Sequence, residues 1–236
     1  MTTVINFIKH ILKKDSLSAA AQTAFFFLLA FFPLGMFLGW ALSAADAPLG
    51  SLEGLFPRDM LELLTETAAP EPLKNPFAFL VSFWAASAGV WALMRGVSHA
   101  YTGKRLSSFK ARIGAAVFTA GFLAVLTLTV AALALGRLVS LLALGAAITL
   151  LLFALYTLTP GTSARPVRAL WTAAAGAAAW LAVSWGFELY LRLFANFSAL
   201  YGGLGVFLGL AIWIYAICII IIIGAELGGY DRREAG

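Results

Sequence analysis

Cut at every Asp, Glu, Lys and Arg, the chain falls into six long uncharged runs: residues 16–45, 75–94, 113–136, 138–164, 169–187 and 193–225. A helix needs about 20 mostly apolar residues to cross the hydrocarbon core of a bilayer. Each run holds one such helix, and none is long enough for two. A soluble domain is excluded by the same arithmetic. With 62% of residues hydrophobic and only 11% charged, too little charge remains to coat a water-facing surface. Disorder is excluded because it requires low hydrophobicity. The expected fold is all-α: a polytopic integral membrane protein with six transmembrane helices in a single membrane domain over residues 1–236. The spans are expected near 18–44, 76–95, 113–135, 138–158, 169–191 and 204–226.

The first run follows Lys9, Lys13 and Lys14, as a secretory signal would. At 30 residues it is about twice the length of a signal's apolar core, so it reads as a retained helix. Basic residues then orient the chain. With the N-terminus in the cytoplasm, 12 of the 16 basic residues fall in inner segments, among them Lys104, Arg105, Lys110, Arg112, Arg165 and Arg168. Only Arg58, Lys74, Arg137 and Arg192 fall outside. Both termini are therefore expected in the cytoplasm. The net charge of +5 reads as a topology signal, with no nucleic-acid partner implied.

Residues 46–74 form the one sizeable outer loop. Pro57 at an early helical position and Asp59 and Glu62 in the first turn mark a helix start. Met60, Leu61, Leu63, Leu64 and Ala68 give it an apolar side, so a short amphipathic helix is expected there, on the membrane face or capping the bundle. Residues 96–112 read as a basic inner loop, and Tyr156 to Arg168, with Pro160, Gly161 and Pro166, as another. The alanines around Gly176, and Gly205 with Gly209, let helix backbones approach closely, within the chain or across a homo-oligomer. Cys218, the only cysteine, excludes an internal disulfide and reads as a small buried hydrophobe.

Three ordered motifs resemble a known family. Gln22-Thr23-Ala24-Phe25-Phe26-Phe27, running on to Phe32-Pro33, is similar to its first-helix signature. Leu155-Tyr156-Thr157-Leu158-Thr159-Pro160 is similar to the motif closing its fourth helix. Tyr201-Gly202-Gly203-Leu204-Gly205, then Trp213-Ile214-Tyr215 and Gly224-Ala225-Glu226-Leu227, resemble its C-terminal signature. The family is YihY/BrkB, bacterial inner-membrane proteins once labelled ribonuclease BN. Phe26 and Phe27 depart from it, standing where tyrosine is common. The resemblance implies six membrane helices in the bacterial inner membrane, with transport or lipid movement proposed for the family.

The old nuclease label finds no support in the residues. Metal-assisted phosphodiester hydrolysis needs clustered His and carboxylate ligands, and this chain has only His10 and His99, in separate segments. No P-loop is present. Neither an enzyme nor a cofactor is expected. Five places remain for a pathway or a structural polar contact. Pro33, midway along the first span, should kink or break it. Gln22 and Thr23 could bind a neighbouring helix or line a pathway. The last run is 33 residues, and its surplus holds Asn196, Tyr201, Gly202 and Gly203, either as an outer loop or as a re-entrant break of the kind that forms transporter sites. Glu188 and Arg192 are spaced for an interfacial helical ion pair. Glu226 closes that run and is expected to turn inward, toward Gln22, Thr23 or a loop arginine, with a snorkelling interfacial acid as the alternative. The expected function is a transporter or flippase-like protein for a lipid or another amphipathic solute. A non-transporting envelope scaffold is the alternative. Membrane lipids are the expected partners.

Overall fold

A computed structural model describes residues 14–44, 76–103, 106, 109–132, 137–160, 162, 165–193 and 203–233. Those residues form six helices: α1 Lys14–Ala44, α2 Pro76–Thr102, α3 Phe109–Ala132, α4 Arg137–Leu158, α5 Pro166–Leu193 and α6 Gly203–Arg233. No strand occurs among the described residues. Each helix overlaps one expected span, and the polar chemistry at their ends explains several boundaries. Pro76 and Pro166 open α2 and α5, where a missing N–H costs nothing. Gly103, at φ +70, turns α2 off, and its N–H returns to the His99 carbonyl at 2.8 Å. The outer-loop helix expected within 46–74 lies outside the described residues.

Two boundaries correct the sequence reading. α2 continues to Thr102 and α3 begins at Phe109, so much of the expected inner loop 96–112 is helical. Cutting at Arg95 stopped the span too early, because a long guanidinium side chain can lie against the helix instead of ending it. α4 runs to Leu158, the end expected for the span 138–158, so the loop expected from Tyr156 starts after the helix and not at Tyr156. At Pro33 the α1 helix continues without a break.

Interior hydroxyls are hidden by the helices themselves. Thr119, Thr127, Thr129, Thr149 and Thr157 each donate to the carbonyl four residues earlier, at 2.7–2.9 Å. A hydroxyl satisfied in this way can sit in an apolar bundle without a partner helix.

The core is built by α1, α2 and α6, with the α4–α5 hairpin laid against α6. α3 packs most on α2, and to a similar lesser extent on α1 and α4. α1 and α2 run antiparallel: Thr23 meets Ala92, Phe27 and Ala30 meet Gly89, and the Phe37 and Phe79 rings meet edge-on at 5.3 Å. Gly89 and Gly96 make this seam close. A Cβ on Gly89 would lie 2.8 Å from the Ala30 Cβ, which cannot swing aside because it is attached directly to the backbone. By contrast, Gly121 on α3 has nothing within 4 Å of such a Cβ. Gly89→Ala is therefore expected to destabilise the protein by about 1–3 kcal/mol through overpacking. Gly121→Ala should be neutral or stabilising, by up to about 1 kcal/mol of helix propensity. Thermal melting of the two purified variants in one detergent reads the difference, and equal melting points would refute the close seam.

Large apolar side chains point outward along the bundle, including Leu128, Leu142, Trp171, Trp185 and Ile212. Four helices carry windows long and apolar enough to cross a membrane: Phe79–Thr102, Ala111–Thr129, Pro166–Tyr190 and Phe207–Gly229. α1 and α4 carry shorter described apolar stretches, Leu17–Phe31 and Leu142–Leu158. An outward apolar surface on helices of this length is a lipid-facing surface.

Candidate functional site

The polar side chains that are buried gather unevenly. Thr23, Ser98, Thr159 and Glu226 all lie toward the end of the bundle where α1 begins and α6 finishes. Two tyrosines organise this end. Tyr156 of α4 is fully buried, and its hydroxyl donates to the Ile221 carbonyl of α6 at 3.0 Å. It reaches that carbonyl because residue 224 is glycine, where a Cβ would overlap the tyrosine hydroxyl. One helical turn on, Gly228 forms the same kind of recess for the Tyr101 hydroxyl of α2. The two rings stand 6.4 Å apart. Tyr101 Oη is buried and has no hydrogen-bond partner among the described residues.

Around the tyrosines, the Ser98 hydroxyl donates to the Pro160 carbonyl at 3.3 Å, tying α2 to the α4–α5 connection. Thr159 donates back to Leu155, closing α4. Gly176 of α5 lies against Leu152 and Tyr156, so the hairpin joins the same layer. Glu226 sits on α6 between Gly224 and Gly228 and is only 9% exposed. It is the one carboxylate buried among the described residues. Glu226 lies near the end of Phe207–Gly229, the most apolar of the membrane-length windows among the described residues.

The expected site residues scatter across this geometry. Thr23 is buried, with its hydroxyl donating to Ala19 at 2.8 Å and directed at the Ala92 carbonyl of α2 at 3.5 Å. That is the neighbouring-helix role. Gln22 is exposed on the outside of α1. Of the three partners expected for Glu226, the Thr23 hydroxyl is directed at carbonyls of α1 and α2, and Gln22 is exposed. Pro33 is half-buried. Glu188 is half-buried on α5, with Arg192 one turn later on the same helix. Phe187 lies against Gly209, so Glu188 sits 17 residues of α6, about 25 Å, from Glu226. Gly203 opens α6, while Asn196, Tyr201 and Gly202 lie outside the described residues. Gly209 faces Phe187 of its own chain.

Sequence reasoning missed Tyr101, Tyr156 and Gly228. The available signal was Gly224 and Gly228 at four-residue spacing, a pair of recesses on one helix face. Among the described residues no group of three His, Cys, Asp or Glu comes together as a metal cage would require.

This is the construction of a multi-pass α-helical membrane protein: self-satisfied apolar helices, a glycine-tight core and a polar layer at one end. The chain matches the family described as Virulence factor BrkB over residues 7–233, and it belongs to that family. It is also 31% identical to the ribonuclease-like protein YfkH of Bacillus subtilis (strain 168), over 98% of this chain and 96% of that protein. No solved structure matches the chain.

Proposed function

We propose that the protein crosses the bacterial inner membrane six times, with both termini in the cytoplasm, and moves a lipid or another amphipathic solute without catalysing a covalent reaction. The observation that carries this reading is the buried Glu226. A carboxylate in a lipid-embedded helix is expensive, and such residues usually face a solute or proton pathway. The ribonuclease-like name of the Bacillus relative suggests hydrolysis instead. Against that reading, Glu188 and Glu226 are far apart, and the sequence holds only two histidines.

The test is reconstitution into liposomes with a fluorescent phospholipid. The protein should move the probe faster than empty vesicles do, and equal rates would overturn transport. Glu226→Gln keeps the shape and removes the charge. It is expected to fold in normal yield and to lower transport about tenfold, with Glu188→Gln close to wild type. Unchanged transport in Glu226→Gln would remove Glu226 from the pathway.

The second reading, a non-transporting scaffold, draws on the tight α1–α2 seam at Gly89 and Gly96. A bundle closed by glycine packing presents a rigid outer surface to other membrane proteins. The liposome assay separates the two readings directly.

A further inference from the structure

Away from the tyrosine layer, α2 carries a second polar feature on its outer side. Trp84, Trp91 and Arg95, with the small Ala88 between the two indoles, recur at helical spacing and form one stripe along it. The Arg95 guanidinium lies 4.6 Å from the centre of the Trp91 ring. From α3, the Arg112 guanidinium lies 4.6 Å from the Trp84 ring centre and 5.7 Å from that of Trp91. Two cations therefore share one indole. Like charges this close repel, and among the described residues no acidic side chain pairs with either of them.

Arg112 is held in place from behind. Its two terminal nitrogens donate to the carbonyls of Ser87 at 2.9 Å and Trp84 at 3.1 Å. A guanidinium has five N–H donors, so this anchoring leaves several for a ligand. Arg95 makes no hydrogen bond among the described residues, and Trp91 Nε1, which is buried, has none either. The cluster opens outward: Trp84 is 56% exposed, and Arg95 and Arg112 are partly exposed.

Its depth selects the ligand. Trp84 and Ser87 lie 18 and 15 residues before the end of α2, about 27 and 22 Å along the axis. Arg112 itself falls inside the apolar window Ala111–Thr129. An uncompensated cation at such a level is costly, and the compensation must come from a molecule that reaches a lipid-facing surface. A dissolved polyanion does not reach it. A phospholipid drawn below the headgroup level does, its acyl chains packing on the same outward apolar face while its phosphate meets the arginines. Arginine suits this role, since its planar fork matches phosphate oxygens in pairs.

We propose that Arg95 and Arg112, with Trp84 and Trp91, form a seat for the phosphate of an anionic phospholipid at the α2–α3 surface. Two cations at one seat favour a headgroup with net negative charge over a zwitterionic one, whose own ammonium would be repelled. The seat is independent of whether the protein moves lipid, so its test does not use transport.

The full-length protein is purified, stripped of lipid by detergent exchange and titrated separately with phosphatidylglycerol, phosphatidylcholine and inorganic phosphate, reading bound lipid by native mass spectrometry and thermal stability alongside. Phosphatidylglycerol should bind about tenfold more tightly than phosphatidylcholine, and inorganic phosphate at the same concentrations should neither bind nor compete. Arg95→Gln, which removes no hydrogen bond within the described protein, should lower phosphatidylglycerol affinity about tenfold, while the exposed Arg165→Gln leaves it unchanged. Arg112→Lys keeps the charge but loses the fork and should fall between wild type and Arg95→Gln. Equal affinity for the two lipids overturns the seat. So do equal losses in Arg95→Gln and Arg165→Gln, which would mean unspecific charge. Competition by inorganic phosphate would replace it with a free-anion site.

Discussion

Gly224→Ala is expected to destabilise the protein sharply, and Tyr156→Phe in the same chain to give much of that stability back. A Cβ at position 224 overlaps the Tyr156 hydroxyl and stands 3.3 Å from the ring carbon that carries it. Tyr156 is fully buried and held among Leu152, Gly176 and α6, so the ring cannot retreat. Overpacking of this kind costs about 1–3 kcal/mol. Tyr156→Phe alone loses the bond to the Ile221 carbonyl, worth about 0.5–1.5 kcal/mol. In the double variant the obstructing oxygen is gone and the new methyl occupies its place. The double variant should therefore be more stable than the sum of the two losses, by about 1 kcal/mol or more. Melting curves of the four proteins in one detergent give the cycle. Strict additivity would mean that residues 156 and 224 do not share the contact described.

The second large effect is all-or-none. In a chain with Cys218 changed to alanine, a cysteine at position 104 should resist a membrane-impermeant thiol reagent in intact cells and react in inverted membrane vesicles. A cysteine at position 62 should react in intact cells. Cys218 is buried on α6, so its removal is a small change that clears the background. The expectation rests on a basic bias that sets orientation through short loops: with Arg95, Arg112 and Arg168 set aside because they fall within membrane-length helix windows, nine basic residues remain in expected inner segments against four in outer ones. The reverse labelling would turn the bundle over and place Glu226 and the tyrosine layer at the outer face.

The helices were legible in the sequence because lipid makes charge placement informative. Outside a membrane, the gap between Arg137 and Arg165 would have been one ambiguous apolar stretch. Inside one, it had to contain a span, and α4 is found there. The misjudged ends share a cause. Arg95 was read as a boundary because it is charged, yet it lies along its own helix over Trp91. At the α4 end the expected span 138–158 holds to Leu158, and only the loop reading that begins at Tyr156 overlaps it, because Pro160 and Gly161 follow closely. The inward burial of Glu226 followed from its position at the end of an uncharged run. The tyrosine layer at the same end did not follow, because Tyr101 and Gly228 are 127 residues apart in sequence and no local pattern announces their contact. Depth along separate helices, the measure used to pair Glu226 with Gln22 and Thr23, ignores rotation about each axis. Gln22 is turned outward and Thr23 faces α2.

The contact of α1 with α6 has a consequence for how the chain is made. Helices enter the membrane in the order of synthesis, so α1 and α2 are in lipid long before residue 203 leaves the ribosome. Until then Gly96, which α6 covers at Ile222, faces either acyl chains or a chaperone. α6 works as a keystone: until it packs, the α1–α2 seam at Gly96 is an unfinished groove.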